Sequence, residues 1–342
     1  MLVAELIANR QFQLTERPIE DPAPGEIQVR VKAVGICGSD LHSYSEGAVG
    51  DTPCAYPMVL GHEPAGVVVK TGPGVTGWQP GDRAALEPAV YCYHCEFCLS
   101  GHHNVCSNIR FLSTPGIPGF FREFVNLPAV NLFGIPAHLS LELATVVEPL
   151  AVAMHSMRFA RIQLGETVAV FGAGPIGLLT IACVKAAGAG RIWAIDPLPH
   201  RRELARHMGA DVTLDPGQID DAKQIMADTG QRGVDCAIDC AAKEDTTNAA
   251  IRASRNAGRV VLTGIHSAAM VPFEVSPMRR KELAVLNVRR SNDEAHAALH
   301  LLLDKMDLFA PLVTHTRPLS DIAEAFRLNE TYQDGIGKLV IA

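Results

Sequence analysis

Three glycines fix the reading of the middle of this chain. In Val168-Ala-Val-Phe-Gly172-Ala-Gly174-Pro175-Ile176-Gly177 they follow a short apolar run and open a segment, 176–187, at helical spacing. Each position of this G-x-G-x-x-G pattern has a physical use. The first glycine permits a sharp turn, the second lets backbone approach a pyrophosphate, and the third lets helix and strand pack closely. The helix N-terminus then offers free N–H groups and the positive end of its dipole to phosphates. Nineteen residues after Gly177, Asp196 closes the next β-prone run, where a carboxylate accepts both hydroxyls of an adenosine ribose. A bare βαβ turn with an incidental acid is the plain alternative. Strand, glycines, helix and acid together favour a dinucleotide site. Asp196 would also repel a ribose 2′-phosphate, so NAD is expected over NADP. Arg201 either packs against adenine or ribose or is a solvated helix arginine. Gly264 and Ile265, after the β-prone run 259–263, are read as further cofactor contacts.

The same alternation of β-prone and helical segments runs from about 150 to 290, with Val234–Asp239 among its strands. Repeated βαβ units predict a doubly wound parallel sheet with helices on both faces. Residues 1 to about 145 differ in texture. They are rich in Gly and Pro, and alternating runs such as 26–32 read as half-buried antiparallel strands of a barrel or sandwich. The last fifty residues carry helical patterns at 293–304 and 319–329 and a closing β run at 338–341. At about 150 residues per domain, 342 residues make two domains. An apolar fraction of 48% with 20% charged residues suits ordinary globular cores and argues against disorder. A net charge of −7 argues against a nucleic-acid binder, which needs a basic stripe. The first residues lack the basic start and apolar run of a secretory signal, and glycines interrupt the uncharged stretch 168–184. A cytoplasmic protein without a membrane span is expected.

Nine cysteines, an odd number, make a poor disulfide framework in such a chain. Four of them, Cys92, Cys95, Cys98 and Cys106, fall within fifteen residues as C-x2-C-x2-C-x7-C. Four thiolates can close a tetrahedral shell around Zn²⁺ with no open position, a structural role. Free thiols or an iron–sulfur cluster are the alternatives. Glycine at 101 and mostly polar surroundings suggest an exposed lobe near 90–107. A second set is dispersed: Cys37 in Gly35-Ile-Cys37-Gly-Ser39-Asp-Leu-His42, then Gly61-His62-Glu63, then Glu148 in Val147-Glu148-Pro149. On composition alone it is unremarkable.

In order, these segments, the cysteine lobe and the glycine fingerprint resemble the zinc-containing medium-chain dehydrogenases over essentially the full chain. The closest look is to the sorbitol (polyol) branch. Gly61-His62-Glu63-Pro-Ala-Gly66, Gly72, Val75 and Gly81-Asp82 agree with that family's zinc signature. The resemblance implies a GroES-like β-barrel catalytic domain from 1–149 and 290–342, with a Rossmann NAD-binding domain at 150–289. It implies a catalytic zinc at Cys37, His62 and Glu63, with Glu148 as fourth ligand or water-mediated partner, and a second, structural zinc. Ser39 and His42 match the family's proton relay; His42 as a plain surface histidine is the alternative. His94, His102 and His103 are read as bystanders, and His155 as a packed, hydrogen-bonded residue.

A secondary alcohol of polyol, sugar or sugar-acid type, with its ketone, is the expected substrate pair. Threonine or vicinal-diol dehydrogenase is the alternative in the same family, and a zinc/dinucleotide redox-sensing module the alternative outside enzymes. The polyol branch has a tyrosine where this chain has Ser43. An ungapped match sets Arg290 on its pocket arginine, Ser291 on a second tyrosine and Arg289 on an aromatic. Small residues at 43 and 291 would widen the pocket, and two arginines would favour a hydroxyl-rich or anionic group; alternatively Arg289 points to solvent. Resemblance to bacterial members of similar length implies a homotetramer.

Overall fold

The computed structural model describes residues 1–243, 245–332 and 334–342. The chain divides into two units, Met1–Pro149 with Asn292–Ala342, and Leu150–Ser291. The second crossing therefore falls at 291/292 and not at 289/290, so Arg290 and Ser291 belong to the inserted unit.

The inserted unit is built on six parallel strands. Their order is Val212–Leu214, Arg191–Ile195, Thr167–Phe171, Val234–Asp239, Ser254–Leu262, Ala284–Asn287. Strand order reverses between Thr167–Phe171 and Val234–Asp239. At such a switch point a ligand crevice opens beyond the carboxyl ends of the strands. Val234–Asp239 is buried along its whole length, as a strand covered on both faces must be. The helix Pro175–Ala186 buries eight consecutive residues from Gly177 to Val184, so it is apolar all round and lies in the interior. Phe171, Trp193, Ile195 and Val260 lead the core. Two strands escape pattern reading, Val212–Leu214 because it has three residues and Ala284–Asn287 because it is half exposed. Ser254–Leu262 starts before the expected 259 because its polar opening, Ser-Arg-Asn, carries no β signal.

In the other unit, strand Glu26–Gly35 organises a seven-stranded sheet. It pairs antiparallel with Phe124–Pro128, Glu63–Thr71 and the closing strand Lys338–Ile341. The register Val340↔Gly35 joins the last residues of the chain to the strand that leads into Cys37. Leu60, Phe120, Phe121, Phe326 and Leu339 are fully buried in its core. The rings of Phe121 and Phe326 meet edge-on at 5.7 Å. Helices Ala295–Asp304 and Ile322–Glu330 lie close to their expected positions, the second preceded by a single 3₁₀ turn, Leu319–Asp321. Among the described residues, no helix is long and apolar enough to cross a membrane.

Candidate active site

Cys37 caps the helix Gly38–Glu46, and Glu63 opens the strand Glu63–Thr71. Folding brings one ligand atom each of Cys37, His62 and Glu63 within 4.8 Å of one another. Asp40, in the first turn of that helix, holds the arrangement together. Its carboxylate accepts the Cys37 N–H at 3.0 Å, the Gly61 N–H at 3.1 Å and the Ser113 hydroxyl at 3.3 Å. It also stands 3.3 Å from His62 Nδ1, at ion-pair distance but without hydrogen-bond alignment. Burial opposes charge on Asp40, but His62 and the two backbone hydrogen bonds outweigh it and hold the carboxyl below its usual range. Burial likewise opposes charge on His62, and Asp40 and Cys37 reverse this, raising the imidazole well above its usual range. With Nδ1 turned to Asp40, Nε2 is the nitrogen offered to the site, 3.4 Å from Ser39 Oγ. A carboxylate behind a ligating histidine is the usual support for a metal-bound imidazole. The anionic surplus that favours a proton here would favour a divalent cation, so the donor set fits zinc.

Glu63 is almost fully buried and pairs with Lys338, itself fully buried. Lys338 Nζ also donates to Ile36 O at 3.1 Å. Gly35 makes this pair possible, because a Cβ there would collide with Glu63 Oε2 and stand 2.7 Å from Lys338 Cε. Sequence reasoning missed both Asp40 and Lys338. The available signal for the second was a lysine in a closing strand that is otherwise apolar. Glu148 stands outside the 4.8 Å group, so three of the four expected ligands converge. Burial, with repulsion from Glu63 and Glu87 and against His62 and Lys338, pushes its carboxyl up to about 8. His42 turns Nδ1 to Glu46 at 3.0 Å, one helical turn on.

The four lobe cysteines also converge, and all nine cysteines are free of disulfides. Zn–S bonds of about 2.3 Å in a tetrahedron imply sulfur–sulfur edges of about 3.8 Å. Here Cys92–Cys106, Cys95–Cys106 and Cys92–Cys98 stand at 3.4, 3.9 and 4.0 Å. Backbone N–H groups of Cys95 and Asn108 point at the sulfurs of Cys92 and Cys106, each at 3.4 Å. Hydrogen bonds, led by one in the His94 segment, bring the Cys92 thiol down to about 5, whereas burial pushes Cys98 up to about 12. The set fits one closed zinc. The lobe is less polar than expected, with Tyr93, Phe97, Leu99 and Val105 exposed. Metal analysis is expected to find two zincs per subunit, falling to one in Cys98→Ser together with a lower Tm. One zinc in the unaltered protein, or an iron–sulfur spectrum, would refute this.

In the inserted unit, Gly172 has φ +90°, and a Cβ there would strike Ala241. A Cβ on Gly177 would strike Gly172 O, which is why helix and turn pack only with glycine. Gly174 caps the helix Pro175–Ala186 without a side chain, leaving the first-turn N–H groups uncovered by any cap. Asp196 is buried, accepting the Ala173 N–H at 2.8 Å and the Leu198 N–H at 2.9 Å. Arg201 Nη1 lies 3.9 Å from Asp196 and beside Gly174, so Arg201 is no solvated helix arginine. Gly264 N–H donates to Asp239 O at 2.9 Å, and Ile265 is exposed. Arg289 is exposed and Arg290 half-buried with φ +54°; Ser43 and Ser291 are both buried. His155 is buried against Phe159.

Two family descriptions match the chain, "Alcohol dehydrogenase GroES-like domain" over residues 23–137 and "Zinc-binding dehydrogenase" over residues 175–304. Sorbitol dehydrogenase from Bacillus subtilis (strain 168) is 35% identical over 85% of this chain and 82% of its own length. The chain belongs to the zinc-containing medium-chain dehydrogenase family. L-arabinitol 4-dehydrogenase of Hypocrea jecorina is 37% identical to this dehydrogenase, over 94% of this chain and 86% of the relative. Among solved structures, L-idonate 5-dehydrogenase from Escherichia coli K-12 matches with a TM-score of 0.91 at 29% identity, covering 100% of this chain and 97% of that one. A GroES-like unit together with a doubly wound parallel sheet is thus the family's fold.

Proposed function

We propose that this dehydrogenase interconverts a secondary alcohol of polyol, sugar or sugar-acid type and its ketone, using zinc and NAD. Convergence of Cys37, His62 and Glu63 within 4.8 Å carries the reading, in a chain that also holds a glycine crevice with Asp196. The unit formed from both chain ends is the catalytic domain, and the inserted unit binds NAD. Relatives named for sorbitol and L-arabinitol, and a structural neighbour named for L-idonate, support the substrate class.

Cys37, His62 and Glu63 would hold the catalytic zinc, with Glu148 as fourth ligand or bridged partner. Zinc supplies Lewis acidity and nicotinamide a hydride acceptor. The protein residues handle the proton. Ser39, whose hydroxyl stands 3.4 Å from His62 Nε2, takes it from the alcohol and passes it to His42. His42, backed by Glu46 at 3.0 Å, releases it toward solvent. Asp40 keeps the imidazole of His62 in the orientation this requires.

Asp196 sets cofactor choice. The unaltered enzyme is expected to be faster with NAD than with NADP at equal concentration, and Asp196→Ala to narrow that ratio. The substitution removes the repulsion and the ribose contact together. A higher rate with NADP in the unaltered enzyme would mean that Arg201 dominates.

Arg290, drawn in where Arg289 is exposed, is the residue proposed to meet the substrate. Arg290→Ala is expected to lower kcat/KM by about tenfold, mostly through KM, as loss of a charge-assisted hydrogen bond does. The functional test is a panel of polyols, sugar acids, cyclic polyols, vicinal diols and threonine with NAD, read as NADH absorbance. Activity on none, or threonine as best substrate, overturns the proposal. Sorbitol outrunning every bulkier or acidic polyol counts against the widened pocket.

The family resemblance supports a homotetramer, and a cytoplasmic location is proposed with it. Light scattering at micromolar concentration tests the assembly; a monomer refutes it.

A further inference from the structure

Asp239 is the last residue of strand Val234–Asp239, directly at the switch point, and sequence reasoning gave it no role. Its carboxylate is buried and densely used. Oδ1 accepts the N–H groups of Ala241 and Ala242, both at 3.0 Å. Oδ2 accepts the hydroxyls of Thr247 at 2.6 Å and Thr246 at 3.0 Å. Its main-chain oxygen takes the N–H groups of Thr263 and Gly264, both at 2.9 Å. Through these bonds one residue fixes two sides of the crevice. Ala241 is the residue that a Cβ on Gly172 would strike, and Ala242 the one that a Cβ on Gly264 would strike.

Proton bookkeeping extends the network outward. A carboxylate only accepts, so the single hydrogen of the Thr247 hydroxyl goes to Asp239. The Thr247 oxygen therefore accepts from His266 Nε2, 3.2 Å away. This assigns the tautomer of His266. In the neutral ring Nε2 then carries the hydrogen, and Nδ1, which makes no hydrogen bond among the described residues, keeps its lone pair. His266 follows Ile265 at the carboxyl end of strand Ser254–Leu262, on the half of the sheet opposite Asp196.

Resting on the dinucleotide reading above, we propose that Asp239 is a positioning residue that acts through Thr247 to present His266 to the bound cofactor. His266 Nδ1 accepts a hydroxyl of the ribose nearer the nicotinamide, the adenosine ribose belonging to Asp196. A dinucleotide that spans a switch point lays its two riboses over opposite halves of the sheet.

Titrating NADH fluorescence against the zinc-loaded enzyme tests this. His266→Leu and Thr247→Val are each expected to weaken NADH about tenfold, the scale of one or two lost hydrogen bonds. Thr247→Ser and His266→Gln, which keep the donor and acceptor pattern, recover at least half of that loss on a logarithmic scale. The double variant His266→Leu/Thr247→Val binds no more weakly than the worse single variant, because both cut one chain. In steady state the rise in KM for NAD exceeds the fall in kcat. Zinc content stays at the unaltered value. Binding within twofold of the unaltered enzyme in both Leu and Val variants overturns the proposal, as do strictly additive effects. Failure of the unaltered enzyme to bind NADH would instead overturn the dinucleotide reading, and this proposal with it.

Discussion

His62→Ala loses turnover by about a thousandfold or more while the protein keeps its fold. Lewis-acid stabilisation by a correctly held metal contributes several kcal/mol to the barrier, and each 1.36 kcal/mol is tenfold in rate. Among the described residues the imidazole is one of three convergent donors, and Asp40 stands behind it at 3.3 Å. The fold should survive because the core of this unit is carried by Leu60, Phe120, Phe121 and their neighbours. Circular dichroism and Tm check the fold, and metal analysis should find the lobe zinc retained and the other lost. A variant with ordinary turnover would remove His62 from the site.

In the zinc-free enzyme, Lys338→Met is expected to destabilise the fold by about 3–5 kcal/mol, because it leaves the buried carboxylate of Glu63 without a cation. Methionine fits the space of the lysine stem, so packing changes little. The effect comes instead from the uncompensated charge and from the Ile36 carbonyl that loses its donor. Glu63→Gln added to Lys338→Met should restore much of the stability, since removing both charges ends the imbalance. Urea unfolding of the single and double variants measures both. A single variant within 1 kcal/mol of the unaltered protein, or a double variant less stable than the single, contradicts this account.

The pair also shows how far the sequence could be read. Four cysteines within fifteen residues encode their own geometry, because a short loop can bring them together whatever surrounds it. The glycine fingerprint is local in the same sense. Gly172 and Gly177 are required by contacts within one strand–turn–helix and with the neighbouring strand end at Ala241, whereas a Cβ on Gly174 would meet only Arg201 Nη1, at 3.7 Å. Alternating βαβ texture similarly determined the parallel sheet, since buried strands and amphipathic helices leave periodic marks.

Tertiary structure decided what depends on partners distant in sequence. Lys338 reaches Glu63 only because the closing strand pairs with Glu26–Gly35 and Gly35 lacks a side chain. A lysine opening an otherwise apolar strand hints at burial, but nothing near position 338 names its counter-charge. Asp40 and Asp239 stood in plain view, yet each is a hub for backbone N–H groups and hydroxyls from several segments. Glu148, expected as fourth ligand or water-mediated partner, stands outside the 4.8 Å group of Cys37, His62 and Glu63. The amino-acid sequence by itself determined the elements, the ligand types and the phosphate turn, because these follow from spacing and backbone sterics. Which buried charge meets which counter-charge was left to the fold, because burial is a property of the neighbours and not of the residue.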